Sequence, residues 1–415
     1  MKRSKNVNGF IDQIDDAYLD AEESGKWVDF QAQHRLSSRI DDVLDAAYKS
    51  IKSGNFEPAI EVGFEVLRRN IMLINHNDDS CGYLGGIMNE AMHLLHDIAE
   101  HDLDDGSREF FVGCCRKCLN DKNYTGWGLH LDFYELLVAL AHTPNECRQL
   151  IKEIEKDKRL NDDYDAQYQL KYVHKLTEKS EGKEAAMRFM MENLQVEDFR
   201  KQAIELAVGE KDFARAYQLG EDGIRQDEKS RPGLVSTWNK CLLKTAHTEG
   251  DTERIVTYAR RLYFDHYNVE GDFYAILKTN VPHEQWDEFA MQLAEESLNR
   301  KKGELYAEIC ARENWHQRLM DYVTQVTDIR MLRKYEDLLL VHHRQEVIER
   351  YICYIWYVME GFRCRGTYQE VCRYLRHIHH LGAGQKVVSV ADELRAKYPR
   401  CPALLDELDR LQITY

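Results

Sequence analysis

Gly366-Thr367-Tyr368-Gln369-Glu370-Val371-Cys372-Arg373-Tyr374-Leu375-Arg376-His377-Ile378-His379-His380-Leu381 shows in one stretch how this chain is written. A small polar turn opens it and an aromatic follows. Val371, Leu375, Ile378 and Leu381 then recur at steps of four, three and three. Such steps bring side chains to one face of an α-helix. A small or capping residue ahead of the aromatic suits a helix start.

The same pattern returns elsewhere. Asn55-Phe56 leads to Ala59, Ile60, Leu67, Ile71 and Ile74, and Asp212-Phe213 to Ala216, Tyr217 and Ile224. Gly250-Asp251 leads to Ile255, Ala259 and Leu262, and Asn314-Trp315 to Leu319 and Val323. The aromatic opens a helix and packs on its neighbour, while the alanine position lets two helices approach closely. From Phe213 to Tyr368 the intervals run roughly 39, 63 and 53 residues, so no fixed period holds. The expected fold is all-α: an α-solenoid of antiparallel helical hairpins, tetratricopeptide-like with irregular repeat length. The competing arrangement is a bundle of unrelated amphipathic helices.

Composition agrees. The chain has 415 residues, 43% hydrophobic, and only 6 prolines. Strong helix formers fill most of it, and period-two alternation hardly occurs. A chain this long exceeds one ordinary globule, and stacked repeats escape that limit. Expected breaks include Asn75 to Cys81, Asn120 to Gly128, Thr143-Pro144 and Arg231-Pro232-Gly233. The charge-dense stretch Lys152 to Asp165 reads as a junction. It joins an amino-terminal helical bundle, 1–150, to a carboxyl-terminal tetratricopeptide-like array, 151–415, and the two are expected to form one continuous body.

The formal net charge is -16, from 56 Lys and Arg against 72 Asp and Glu. That field disfavours nucleic acid as a partner. Eleven scattered cysteines do not make the disulfide framework of a small secreted domain, so reduced thiols in the cytoplasm are expected. Met1 to Lys5 is basic, but Asn6 to Asp16 is polar, which predicts no export signal. No apolar run reaches membrane-spanning length.

Three segments carry a family likeness. They are Tyr124-Thr125-Gly126-Trp127-Gly128-Leu129-His130-Leu131-Asp132, then Gly271 to Lys278 with Trp286 eight residues on, then Tyr398-Pro399-Arg400-Cys401-Pro402 through Leu408. In this order they resemble the helical region that follows the zinc finger in bacterial SWIM zinc-finger proteins, from about Ser38 to the end. The resemblance implies helical repeats, with Trp127, Trp286 and Leu405 as buried packing landmarks. The family's finger, Cys-x-Cys followed by Cys-x-His, is absent, so its zinc chemistry does not carry over.

Other chemistry is sparse. Cys114, Cys115 and Cys118 share a helical face with Phe111 and Leu119, which reads as buried cysteine rather than half a zinc site. His93, His96, Asp97 and Glu100 form the polar stripe of an amphipathic helix. Gly382-Ala383-Gly384-Gln385-Lys386 lacks the earlier glycine and the hydroxyl residue of a phosphate loop, and reads as a turn between helices. No Gly-x-Ser-x-Gly elbow and no His-Glu-x-x-His occurs. The chain is therefore expected to be no enzyme, with no catalytic residues, cofactor or metal.

The expected function is that of a non-catalytic scaffold for a protein or peptide partner. The alternatives are an accessory nucleic-acid-binding module of a SWIM-type system and, more weakly, a hydrolase with a composite site. The candidate partner-binding residues are Arg373, Arg376, His377 and His380, which share one helical face. They lie in a region, 341–400, with ten Lys or Arg against six acids.

Overall fold

A computed structural model describes residues 5–23, 28–124, 126–160, 165–265, 271–361 and 364–411. The described residues are 82% helical, and no strand occurs among them. It divides into two compact units, Met1–Pro232 and Gly233–Tyr415.

The first unit holds α1 (Lys5–Glu23), α2 (Phe30–Lys52), α3 (Phe56–Ile74), α4 (Tyr83–Ala99), α5 (Asp105–Leu119) and α6 (Leu129–Leu140). It continues with α7 (Pro144–Lys156), α8 (Asp165–Glu181), α9 (Lys183–Glu192), α10 (Glu197–Gly209) and α11 (Phe213–Asp227). α12 (Pro232–Glu249) opens the second unit, followed by α13 (Thr252–Tyr263), α14 (Phe273–Asn280), α15 (His283–Asn299), α16 (Gly303–Arg312) and α17 (His316–Gln325). The last five are α18 (Ile329–Lys334), α19 (Glu336–Glu360), α20 (Arg365–His380), α21 (Gly384–Lys397) and α22 (Pro402–Asp409). Within each unit helices pack mainly on their chain neighbours: α3 on α4, α7 on α8, α10 on α11, α13 on α14, α15 on α16 and α19 on α20. Short connections make such neighbours antiparallel. This is the all-α hairpin architecture that the spacing predicts.

Local chemistry sets the boundaries. Asp212, Asp251 and Asp272 each cap the following helix, accepting from the backbone N–H of Arg215, Arg254 and Ala275. Thr143 and Glu146 form a reciprocal capping box, with Pro144 at the first helical position. Close approach between helices falls on glycine: a Cβ on Gly63 in α3 would meet Leu95 Cδ2 of α4 at 2.8 Å. The apolar faces close over two cores, one running from Ile11 to Leu176 and the other from Ala307 to Leu411.

The expected junction at 150–151 falls inside α7. Past it, Lys158–Leu160 is a short 3-10 turn, and Arg159 donates to the Leu119 carbonyl at 2.6 Å. The described part of the Lys152 to Asp165 stretch is thus fastened to the first unit. Residues 161–164, Thr125, Arg363 and Met1 to Ser4 lie outside the described residues.

The aromatic positions behave unevenly. Tyr368 is buried, one turn into α20. Phe56 and Phe213 open α3 and α11 but are only half-buried, and half-buried Trp315 is the N-cap of α17. Trp286 is buried. Its indole N–H, the Tyr274 hydroxyl and the Lys278 ammonium all converge on the carboxylate of Glu313. In the last landmark Leu404 takes the core position and Leu405 is half-buried. Trp127 corrects the expectation: its side chain is 39% exposed. Gly126 and Gly128 on either side have φ of 95° and 72°, turning the loop outward. The indole then lies along the end of α3 and donates to Asn75 Oδ1 at 2.8 Å.

Candidate functional site

The anchor expected from the sequence lies on α20. Gly382, just past its C-cap Leu381, has φ of 81°, a left-handed conformation that suits glycine. The Gly382 to Lys386 segment is therefore the turn from α20 into α21. Val371, Cys372, Leu375 and Ile378 are buried in the core of the second unit. That fixes the opposite side outward: Arg373, Arg376 and His380 are exposed, and His377 sits half-buried at the edge.

What they touch separates them. His377 Nε2 lies 2.8 Å from Glu336 Oε2, and the same oxygen accepts the Tyr351 hydroxyl. His377 therefore joins α20 to α19, leaving it a smaller part in any outside contact. Arg373 lies 3.5 Å from Glu370 and over the Tyr374 ring at 5.3 Å, with 63% of its side chain exposed. No carboxylate pairs with Arg376 among the described residues. An exposed pair such as Arg373–Glu370 is worth at most about 1 kcal/mol, so an incoming carboxylate competes for the guanidinium.

Most of the surrounding basic stripe is used internally. Arg350 is buried and donates to the carbonyls of Val323 and Val326. Arg365 pairs with Asp406 at 2.7 Å and Glu407 at 3.0 Å, Arg395 with Asp409 at 3.0 Å, and Lys386 with Glu349. Arg344 donates to the Leu381 carbonyl at 3.0 Å. Acidity is uneven too: residues 1–232 hold 31 Lys and Arg against 45 Asp and Glu, residues 233–415 hold 25 against 27. The outward part of α20 thus belongs to the unit that repels an anionic partner less.

The side chains weighed as metal ligands lie on two helices, α5 and α4. Cys115 and Cys118 are buried and Cys114 half-buried. Burial pushes the Cys114 and Cys118 thiols up to about 11, as for cysteines that pack as small apolar side chains. On α4, Ile87, Ala91, Leu94, Leu95 and Ile98 are buried while His93, Asp97 and Glu100 are exposed. Among the described residues no three His, Cys, Asp or Glu side chains gather in a metal-holding arrangement.

Two features escaped the sequence. Cys364 is the N-cap of α20, and its Sγ lies 3.5 Å from Thr367 Oγ1. The Thr367 hydroxyl first, and then the backbone N–H groups of Thr367 and Gly366, hold this exposed thiol below its ordinary range. A Cys-x-x-Thr spacing at a helix start is the signal that marks it. The second is an open cavity of about 430 Å³ lined by Asn314, Trp315, His316, Gln317, Arg318, His342 and His343. No local spacing joins 316 to 342. They meet because α17 packs on α19.

Fold and site together define an all-α protein of consecutive helical hairpins with a cationic face on one of its last helices. No family model matches the chain, and no curated protein matches it. Among solved structures it is similar to a circular tandem repeat protein with novel repeat topology and enhanced subunit contact surfaces. The identity is 17% over 98% of this chain and 94% of that one, at a TM-score of 0.23, a likeness too loose to carry an argument. No helix among the described residues is long and apolar enough to cross a membrane.

Proposed function

We propose that the chain is a non-catalytic interaction scaffold that holds an acidic segment of a protein or peptide partner on the outer face of α20. The observation that supports this is the pair Arg373 and Arg376, exposed side by side with His380 on a helix whose other face is locked in the core. Arginine presents a planar fork to carboxylates, and a rigid helix holds two such forks in fixed register. The eleven cysteines are free thiols, which suits work in the reducing cytoplasm. The resemblance to the helical region of SWIM zinc-finger proteins belongs to the same proposal.

The test is affinity capture from native lysate with the full chain and with a double variant, Arg373→Glu and Arg376→Glu. The wild type should retain a specific partner and the variant should lose it, with helicity and melting temperature nearly unchanged. Equal capture by both proteins removes α20 as the binding face.

A further inference from the structure

The cavity between the start of α17 and the middle of α19 is built by two backbone departures. Asn314 takes φ of 58°, which sends the chain sharply from α16 into α17. His343 has non-helical angles of φ -133° and ψ 34°, a kink inside α19 with no proline or glycine to cause it. Between them lies the space of about 430 Å³, open to solvent.

Its lining is unusual for this chain. Three imidazoles, one guanidinium, one indole and two amides line it, with no carboxylate among them, in a protein of net charge -16. His316 and His342 stack face to face, ring centroids 4.2 Å apart and planes 17° from parallel. Arg318 lies over the Trp315 ring at 5.2 Å and touches Met291 Sδ at 3.9 Å, and no carboxylate pairs with it among the described residues. Around the stack stand the Arg318 guanidinium from α17 and the His343 imidazole from α19, and Glu346 is engaged by His343 at 2.6 Å. Glu313, next to Asn314, is turned to Trp286, Tyr274 and Lys278.

His316 Nδ1 is buried and makes no hydrogen bond. A bare lone pair is cheaper to bury than an unsatisfied N–H, so the ring proton belongs on Nε2. Burial, then the neighbouring His342 and His343, keep His316 neutral more readily than an ordinary histidine.

We infer that this cavity is a binding site for a phosphomonoester group. Arg318 supplies a two-pronged donor, and His316 and exposed His342 supply imidazole donors. The Trp315 N-cap makes no side-chain bond to the start of α17, leaving the first backbone N–H groups there unclaimed by its side chain. A phosphomonoester brings three acceptor oxygens and roughly -1.5 to -2 charges at neutral pH, matching several donors where a carboxylate would satisfy two. This site is separate from the face of α20, and neither reading depends on the other.

The test titrates the full chain with inorganic phosphate, phenyl phosphate and benzoate, following tryptophan fluorescence and calorimetry, with Trp315→Phe identifying the optical signal. Saturable binding of a phosphate probe is expected, and weaker binding of benzoate. Arg318→Gln and His342→Phe, the latter keeping a ring in the stack, should each weaken it by about tenfold or more. Phenyl phosphate binding tighter than inorganic phosphate points to a phosphorylated side chain or small molecule as the source. Equal binding points to free phosphate. Failure of both phosphates to saturate, or affinity unchanged in both variants, overturns the assignment.

Discussion

The indole N–H of Trp286 donates to Glu313 Oε2 at 3.0 Å, while the other carboxylate oxygen takes the Tyr274 hydroxyl at 2.8 Å and the Lys278 ammonium at 2.6 Å. One acid at the end of α16 thereby fastens α14 and α15. Glu313→Ala strands three donors and should destabilise the second unit by about 2–3 kcal/mol, read as a lowered urea midpoint. A variant with an unchanged midpoint would show that the three bonds are replaced by water at no cost.

Asp157 ties α6 to the turn after α7. Burial opposes its charge, but the Arg159 guanidinium and the Tyr134 hydroxyl outweigh it and hold the carboxyl down at about 2. The folded value lies below the ordinary 3.8, so this contribution is complete above about pH 4 and is lost as pH falls toward 2. Asp157→Asn should flatten that part of the stability profile, measured by urea unfolding across the acid range. An equally steep acid limb in the variant would place the dependence on other carboxylates.

Trp127 and Trp238 should separate cleanly. Trp238 is 1% exposed and Trp127 39%. Trp238→Ala should cost about 3–5 kcal/mol through the cavity it leaves. Trp127→Ala should cost only about 1 kcal/mol, for its bond to Asn75 and partial packing. Comparable losses from chemical denaturation of the two variants would contradict the loop geometry described for Trp127.

Much of the fold is legible in the sequence because helix periodicity and capping are local. Val371, Leu375 and Ile378 face the core as their spacing requires, and Asp212, Asp251 and Asp272 cap where the pattern places a turn. The outward face of α20 follows from the same arithmetic. What spacing could not supply is which residue of another helix meets that face. Glu336 claims His377 from forty-one residues away, and Glu313 gathers donors from two helices. Trp127 misleads because its hydrophobic area argues for burial while two flanking glycines decide the path of the loop. Spacing near 150 likewise does not show that Arg159 pairs with Asp157 and donates to the Leu119 carbonyl.

Thiol chemistry offers a residue-level check. Cys81, Cys353 and Cys364 are all exposed, and the Thr367 hydroxyl and helix-start N–H groups favour the thiolate of Cys364. Limiting iodoacetamide at neutral pH should alkylate Cys364 first, and Thr367→Val should slow it by several-fold. Peptide mapping that finds Cys81 or Cys353 ahead of Cys364 would refute this.

Among the described residues the helices are unequal, from the 6 residues of α18 to the 23 of α2 and the 25 of α19 with its kink at His343. In an array of identical repeats, any hairpin can dock on the wrong neighbour and still cover its apolar stripe, which invites domain swapping and slipped intermediates. Unequal lengths remove that ambiguity. A short helix set against the wrong partner leaves several turns of apolar surface in water, so the mispaired state is discarded early. Irregular length therefore works as an address: the native neighbour of each segment is distinguished by size as well as by pattern.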